Sequence, residues 1–344
     1  GKKLKINGSV SLMDFHHEMK GTSYNEEYLT TGTRAEAAAN NMHGRNTNGT
    51  LWASSNYELS KRTQLNVNLS GNITGGKSDS QSETQLFDKR ARIDTVTVGY
   101  ERSLSRNHSN SFSVSADFTH SFSEGGTALS IVARMDANNS GSTSNSNSTT
   151  HYRQLRNNAG TDSLQLRNLQ QLSPTQSKHT SLSALLTQPL GKKVRLQAGW
   201  GVVMSNNHRK QDTYDKARTN GMWVDSLSNE SRLNSLGQEV KLTLSYDSEQ
   251  IRANGGLTLQ PQRKRFHQRY NGETRDTTLR HADFRPMANI RWRAKGMNVR
   301  LDYTGYTSQP SAEMLLAFRN TTDPLAIREG NPNLKPTFNN LFGL

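Results

Sequence analysis

Three stretches of the sequence carry residue types at spacings that could do chemistry. Gly71-Asn72-Ile73-Thr74-Gly75-Gly76-Lys77-Ser78 fits G-x-x-x-x-G-K-[ST]. That loop cradles phosphates with backbone N–H groups, a lysine and the N-terminus of a following helix. The helix has no support here: Asp79 to Thr84 is a polar run without an apolar stripe, and the residues before the motif alternate, where a central parallel strand is apolar on both faces. His16-His17-Glu18 lacks the i, i+4 histidine pair of a zincin helix, and two histidines adjacent on a strand point to opposite faces and cannot share a metal. No G-x-S-x-G elbow occurs, and with ten His but no Cys there is no thiolate zinc site, disulfide or cysteine nucleophile. No catalytic residue, metal ligand or cofactor is expected, and a phosphate-loop enzyme ranks last among the readings.

Positive charge is the other chemical resource. The 344 residues hold 43 Lys+Arg against 29 Asp+Glu, a formal charge of +14. Arg263-Lys264-Arg265-Phe266-His267-Gln268-Arg269-Tyr270 interleaves cations with aromatics, a pattern that can neutralise nucleic-acid phosphates, meet an anionic surface glycolipid or simply be solvated. Arg195, Lys241, Arg252, Arg291, Arg293 and Arg300 behave differently, because each alternates with apolar residues along its segment. They are the candidate binding residues. Guanidinium groups gathered in an interior need partners, and Asp302 is the one carboxylate in the same phase close by in sequence.

The elements that would position these groups are strands. Only 31% of the residues are hydrophobic and the mean hydropathy is −0.83, so neither a membrane helix nor a conventional core fits. Gly1 to Lys5 leads into alternating residues, so no signal peptide is expected there. Val194, Leu196, Ala198, Trp200, Val202 and Met204 recur with a period of two, as do Leu65 to Ile73, Phe112 to Phe118, Leu129 to Met135, Val240 to Tyr246, Ile251 to Leu259 and Met297 to Tyr303. Short links fall at Ser60 to Thr63, Ser123 to Thr127, Pro189 to Lys193, Tyr246 to Ile251 and Ala294 to Gly296. Long polar links alternate with them: Lys20 to Asn48, Gly75 to Asn110, Ala137 to His179, Ser205 to Gln238, Pro261 to Ala282 and Gln309 to Asn340. That asymmetry predicts an all-β, antiparallel, up-and-down transmembrane β-barrel with tight periplasmic turns, long outer loops, an apolar outer face and a polar lumen. Parity makes Leu51 to Leu59 descend, Leu65 to Ile73 ascend and Phe112 to Phe122 descend. Thr95 to Ser103 then belongs to the outside loop or extends a neighbouring strand. About eleven crossings are expected up to Thr307. Trp52, Tyr57, Phe118, Phe122, Trp200, Tyr246, Trp292 and Tyr303 are expected in interfacial girdles. The competing architecture is a soluble basic β-protein that binds nucleic acid or another polyanion.

The C-terminal region carries a specific phrase. Ser308-Gln309-Pro310-Ser311 with Leu315, and Asp323-Pro324-Leu325-Ala326-Ile327-Arg328-Glu329-Gly330-Asn331-Pro332-Asn333-Leu334-Lys335-Pro336, resembles the TonB-dependent outer-membrane receptors, and most closely their barrel family abundant in Bacteroidota. Phe122 to Leu129 and Thr187 to Lys192 agree more weakly. The most specific part is Gly330, Asn331, Pro332, Leu334, Lys335 and Pro336; Thr337 stands where the family usually has an acidic residue. The resemblance implies a 22-stranded, plugged barrel that imports a nutrient with energy from the TonB complex. On that footing residues 1–344 are the N-terminal half of the barrel, about 11 of 22 strands, without plug or closing strands. The implied partners are outer-membrane lipid, the plug and remaining strands, TonB through the plug, and a surface lipoprotein, with no nucleic acid.

Overall fold

The alternating segments form strands, and the strands run much further than their apolar parts. The computed structural model describes all residues except 1–2, 30–31, 89–96, 124–125, 153–161, 218–220, 311–313, 315–318, 321–327, 330 and 332. Eleven long strands follow one another: β1 Lys3–Leu29, β2 Gly32–Ser60, β3 Thr63–Asp88, β4 Thr97–Ser121, β5 Ala128–Tyr152, β6 Ser163–Pro189, β7 Val194–Asp215, β9 Asn229–Asp247, β10 Ile251–Tyr270, β11 Glu273–Ala294 and β12 Met297–Ser308. Short strands β8 Met222–Trp223, β13 Arg319–Asn320 and β14 Arg328–Glu329 lie in the connections, and β15 Thr337–Gly343 closes the order. Each long strand pairs antiparallel with its neighbours in the path β1-β2-β3-β4-β5-β6-β7-β9-β10-β11-β12-β15, and β1 and β15 do not pair with each other. This is the expected up-and-down meander, with the expected parity and the expected eleven strands up to Ser308, as an open sheet.

The register gathers the apolar residues into one belt. Leu4, Tyr57, Leu65, Phe118, Ile131, Ala184, Trp200, Val240, Leu259 and Phe284 are successive cross-strand partners over ten strands. The row climbs as it goes: Leu65 is the third residue of β3 and Leu259 the ninth of β10. Stagger of that kind is what tilted barrel strands require. The belt face is the open one, with Trp200 49%, Val240 49% and Leu259 43% exposed. The opposite face is sheltered, and Thr243 (3%) and Asp283 (5%) are buried there among polar neighbours. Among the described residues the buried hydrophobics are Ala35 and Phe266 alone, so no second layer covers the belt. A soluble sandwich needs such a layer.

Three expectations are corrected. The polar links are mainly strand: β1 and β2 pair from Lys3↔Glu58 up to Leu29↔Gly32, and the β10–β11 connection is just Asn271-Gly272. Residues polar on both faces carry no periodic signal, yet their backbones still form a ladder in water. Serines join across it: Ser78 to Ser105 at 2.7 Å and Ser103 to Ser144 at 3.1 Å. Thr97 to Ser103 is accordingly part of β4, the extension alternative, while residues 95–96 lie outside the described ones. Second, Trp52 sits on the polar face opposite Ser70, one residue out of phase with Leu51. Third, Trp200 and Tyr303 fall inside the belt, leaving Tyr57, Phe118, Phe122, Tyr246 and Trp292 as the aromatics near the tight-turn end.

The Gly71 to Ser78 motif lies wholly within β3, which runs on to Asp88, so the helix that a phosphate loop needs is replaced by strand.

Candidate functional site

The polar face holds the six candidate cations, four of them exposed. Arg252, Arg291 and Arg300 are direct cross-strand neighbours on β10, β11 and β12. Arg195 lies opposite Ser245, Lys241 opposite Thr258, and Arg293 opposite Asn298 on the same face. All but Lys241 sit within a few residues of the tight turns at residues 190–193, 248–250 and 295–296, so they form one patch at that end of the sheet.

Two carboxylates organise the patch. Asp302 accepts from Arg300 Nε at 2.6 Å and also accepts from the Asn289 amide. Asp247, the last residue of β9, accepts from Arg252 Nε at 3.0 Å and faces Arg195 at 3.8 Å. Asp302 is therefore not the sole carboxylate near these arginines. Asp247 escaped notice because its partner is set by a turn and a cross-strand pairing and not by its own neighbours, although its odd position in β9 puts it in phase with Lys241 and Ser245. Among the described residues no carboxylate lies within ion-pair distance of Arg291, Arg293 or Lys241. Arg195, Arg252 and Arg300 are more than half exposed, at 58%, 59% and 58%, whereas Lys241 and Arg291 are half-buried. Two carboxylates against the five arginines of the patch leave a net-positive surface that can pair with acidic side chains or an anionic solute.

A second feature of this face was not anticipated. Trp52, Ser70, Ser113, Asp136, His179 and Ser205 are successive cross-strand partners from β2 to β7 and line a groove of about 560 Å³. Ser113 Oγ donates to Asp136 at 2.5 Å. An aromatic face, a carboxylate and several hydroxyls in one groove suit a polar, hydroxyl-bearing solute. The sequence signal was available in the phase of Trp52, which alternates with apolar residues and not among them.

The C-terminal phrase organises a chain reversal. Asn331 N–H donates to the Met314 carbonyl at 2.7 Å, and Asn331 Oδ1 accepts from Asn333 N–H at 2.9 Å, an Asx turn. Leu334 N–H donates to the Asn331 carbonyl at 3.3 Å. Lys335 and Pro336 then lead into β15, where Thr337 stands opposite Ser308. Gly330 and Pro332 lie outside the described residues, as do Ser311, Leu315 and Asp323 to Ile327. Among the described residues no cluster of His, Asp or Glu has the geometry to hold a metal ion.

Against known proteins, no curated sequence matches the chain. A family model does: residues 129–344, more than half of the chain and spanning β5 to β15, match that of an outer membrane protein beta-barrel family. Strands β1 to β4, outside the match, continue the same belt in the same register. The molecule is an outer-membrane protein, and its chain belongs to the outer membrane protein beta-barrel family.

Proposed function

We propose that this chain is the barrel portion of a TonB-dependent receptor, which takes up a nutrient across the outer membrane, and that its long strands each cross that membrane. The observation that carries the reading is the ten-strand apolar row on the exposed face, with a sheltered polar face behind it. Lipid wets the row, and the polar face lines the passage. Crossing a bilayer takes about 9–11 residues per strand, whereas β5 has 25, so the polar remainder stands clear of the lipid on the side away from the tight turns. The Asn331 to Pro336 phrase supports the TonB-dependent class by resemblance.

The edges of β1 and β15 fit a larger barrel, since unpaired backbone groups cannot persist in hydrocarbon. Further strands would close it. In that setting the Arg252–Arg291–Arg300 row faces the plug, whose acidic side chains would complete its ion pairing. The Trp52–Asp136 groove is the candidate contact for the solute. Epistasis tests the reading. Under nutrient limitation, loss of this protein should impair growth, loss of the TonB energy coupler should impair it to the same extent, and the double mutant should be no worse. Full function without the coupler would refute the class.

A further inference from the structure

The belt face carries a cationic row as well as apolar ones. Arg45, Lys77 and Arg106 are direct cross-strand neighbours on β2, β3 and β4, in phase with Leu51, Ile73 and Phe112. They share the outward face. Like charges side by side on a sheet destabilise it, so the balance of this row matters. Asp14 takes Arg45 through two contacts, Nε at 3.1 Å and Nη2 at 2.7 Å. The other carboxylate nearby, Asp79, is held by Arg102 at 3.2 and 2.7 Å. Lys77 and Arg106 are exposed, and among the described residues no carboxylate comes within ion-pair distance of either.

Shape adds a second, independent observation. His16, His43, Arg45, Lys77, Asp79 and Arg106 line a groove of about 650 Å³. Directly below it on the same strands is a mainly apolar groove of about 820 Å³, flanked by Leu12, Leu51, Ile73 and Phe112, with Gly49 and Gly71 leaving its floor open and Gln176 and Lys178 lining its β6 side. Leu12 to His16, Gly49 to Arg45 and Ile73 to Lys77 are each four residues, roughly 13 Å of strand. Lys77 stands twelve residues beyond Leu65, and at a tilt of about 40° this is roughly 30 Å, just past an apolar band of about 25 Å. An amphiphile with acyl chains below and phosphate above matches both grooves.

We propose that the outward face of β1 to β5 binds one phosphorylated, acylated glycolipid of the outer leaflet, its chains in the lower groove and its phosphate between Lys77 and Arg106. The site rests on the membrane-facing reading of the belt. Arg263, Arg265 and Arg280 repeat the arrangement on β10 and β11, with Arg263 paired opposite Arg280 and twelve residues beyond Ile251. The basic stretch beginning at Arg263 is thus divided, its odd-numbered arginines facing outward beside the membrane rim.

The test uses the full-length protein in detergent, with native mass spectrometry and bisphosphorylated lipid A as probe, against the same lipid stripped of phosphate. Wild type should retain the phosphorylated lipid and lose most of the phosphate-free one. Lys77→Gln with Arg106→Gln should weaken retention about twenty-five-fold, from two surface cations of about a factor of five each. Equal retention of both lipids by wild type, or unchanged binding by the double variant, would overturn the site. Wild type that stays monodisperse without detergent would instead overturn the membrane reading itself.

Discussion

At the residue scale, two positions show how local chemistry sets this sheet. Asn271 (φ 48°) and Gly272 (φ 76°) make the two-residue turn between β10 and β11, both in the left-handed region that Asn-Gly tolerates. Gly272→Ala should cost about 1 kcal/mol, read as a lower urea midpoint in detergent with an unchanged slope. Glu230 lies beyond the belt, near the top of β9, 2.9 Å from His208 and 2.8 Å from Arg232. Burial pushes its carboxyl up, but hydrogen bonds from His208 and Arg232 outweigh that and hold it below the usual carboxylate value. Because the folded form prefers the carboxylate, the contribution is complete above the ordinary Glu range and is lost as pH falls through the depressed value. Glu230→Gln should therefore lower thermal stability at neutral pH, by roughly 1 kcal/mol, with the gap to wild type closing in acid. A gap that widened in acid would contradict the assigned cause.

At the scale of the element, the argument turns on which face of a strand meets what. Val240 and Lys241 are adjacent on β9, one in the belt and one on the polar face. Val240→Arg should destabilise the protein folded into lipid vesicles by about 2–4 kcal/mol, the cost of a cation near mid-bilayer. Lys241→Gln should be nearly neutral there. A harmless Val240→Arg would mean that water and not lipid bathes the belt. The extended strands were only half legible. Alternation from Val240 to Tyr246 or Ile251 to Leu259 announces itself because one face must be apolar. Ser140 to Thr150 does not, since both faces of that part of β5 are polar and water serves either. The Asn271-Gly272 pair was the signal that a long loop between Pro261 and Ala282 should have been read as a hairpin.

For the whole molecule, the decisive feature is a sheet whose first and last strands, among the described residues, each lack a partner on one side. Exposed ladders recruit other ladders. The isolated chain, refolded in detergent, should form concentration-dependent oligomers on size exclusion. On the larger-barrel proposal, supplying the strands that close it should return the chain to a monomer. Persistent monomers of the isolated chain would show that the edges are satisfied in some other way.

What the amino-acid sequence determined by itself was whatever depends on near neighbours: the period of two, the tight turns, the parity that makes successive strands antiparallel, and the separation of cations such as Arg252 and Arg291 from the apolar phase. Those follow from strand stereochemistry and from the cost of leaving greasy side chains and polar ones on the same face. Tertiary structure alone decided what depends on register. The Asp247 contact to Arg195, the row from Trp52 to Asp136, and the meeting of Arg45, Lys77 and Arg106 join residues tens of positions apart. A shift of a single residue in any ladder would have sent each of them to the other face.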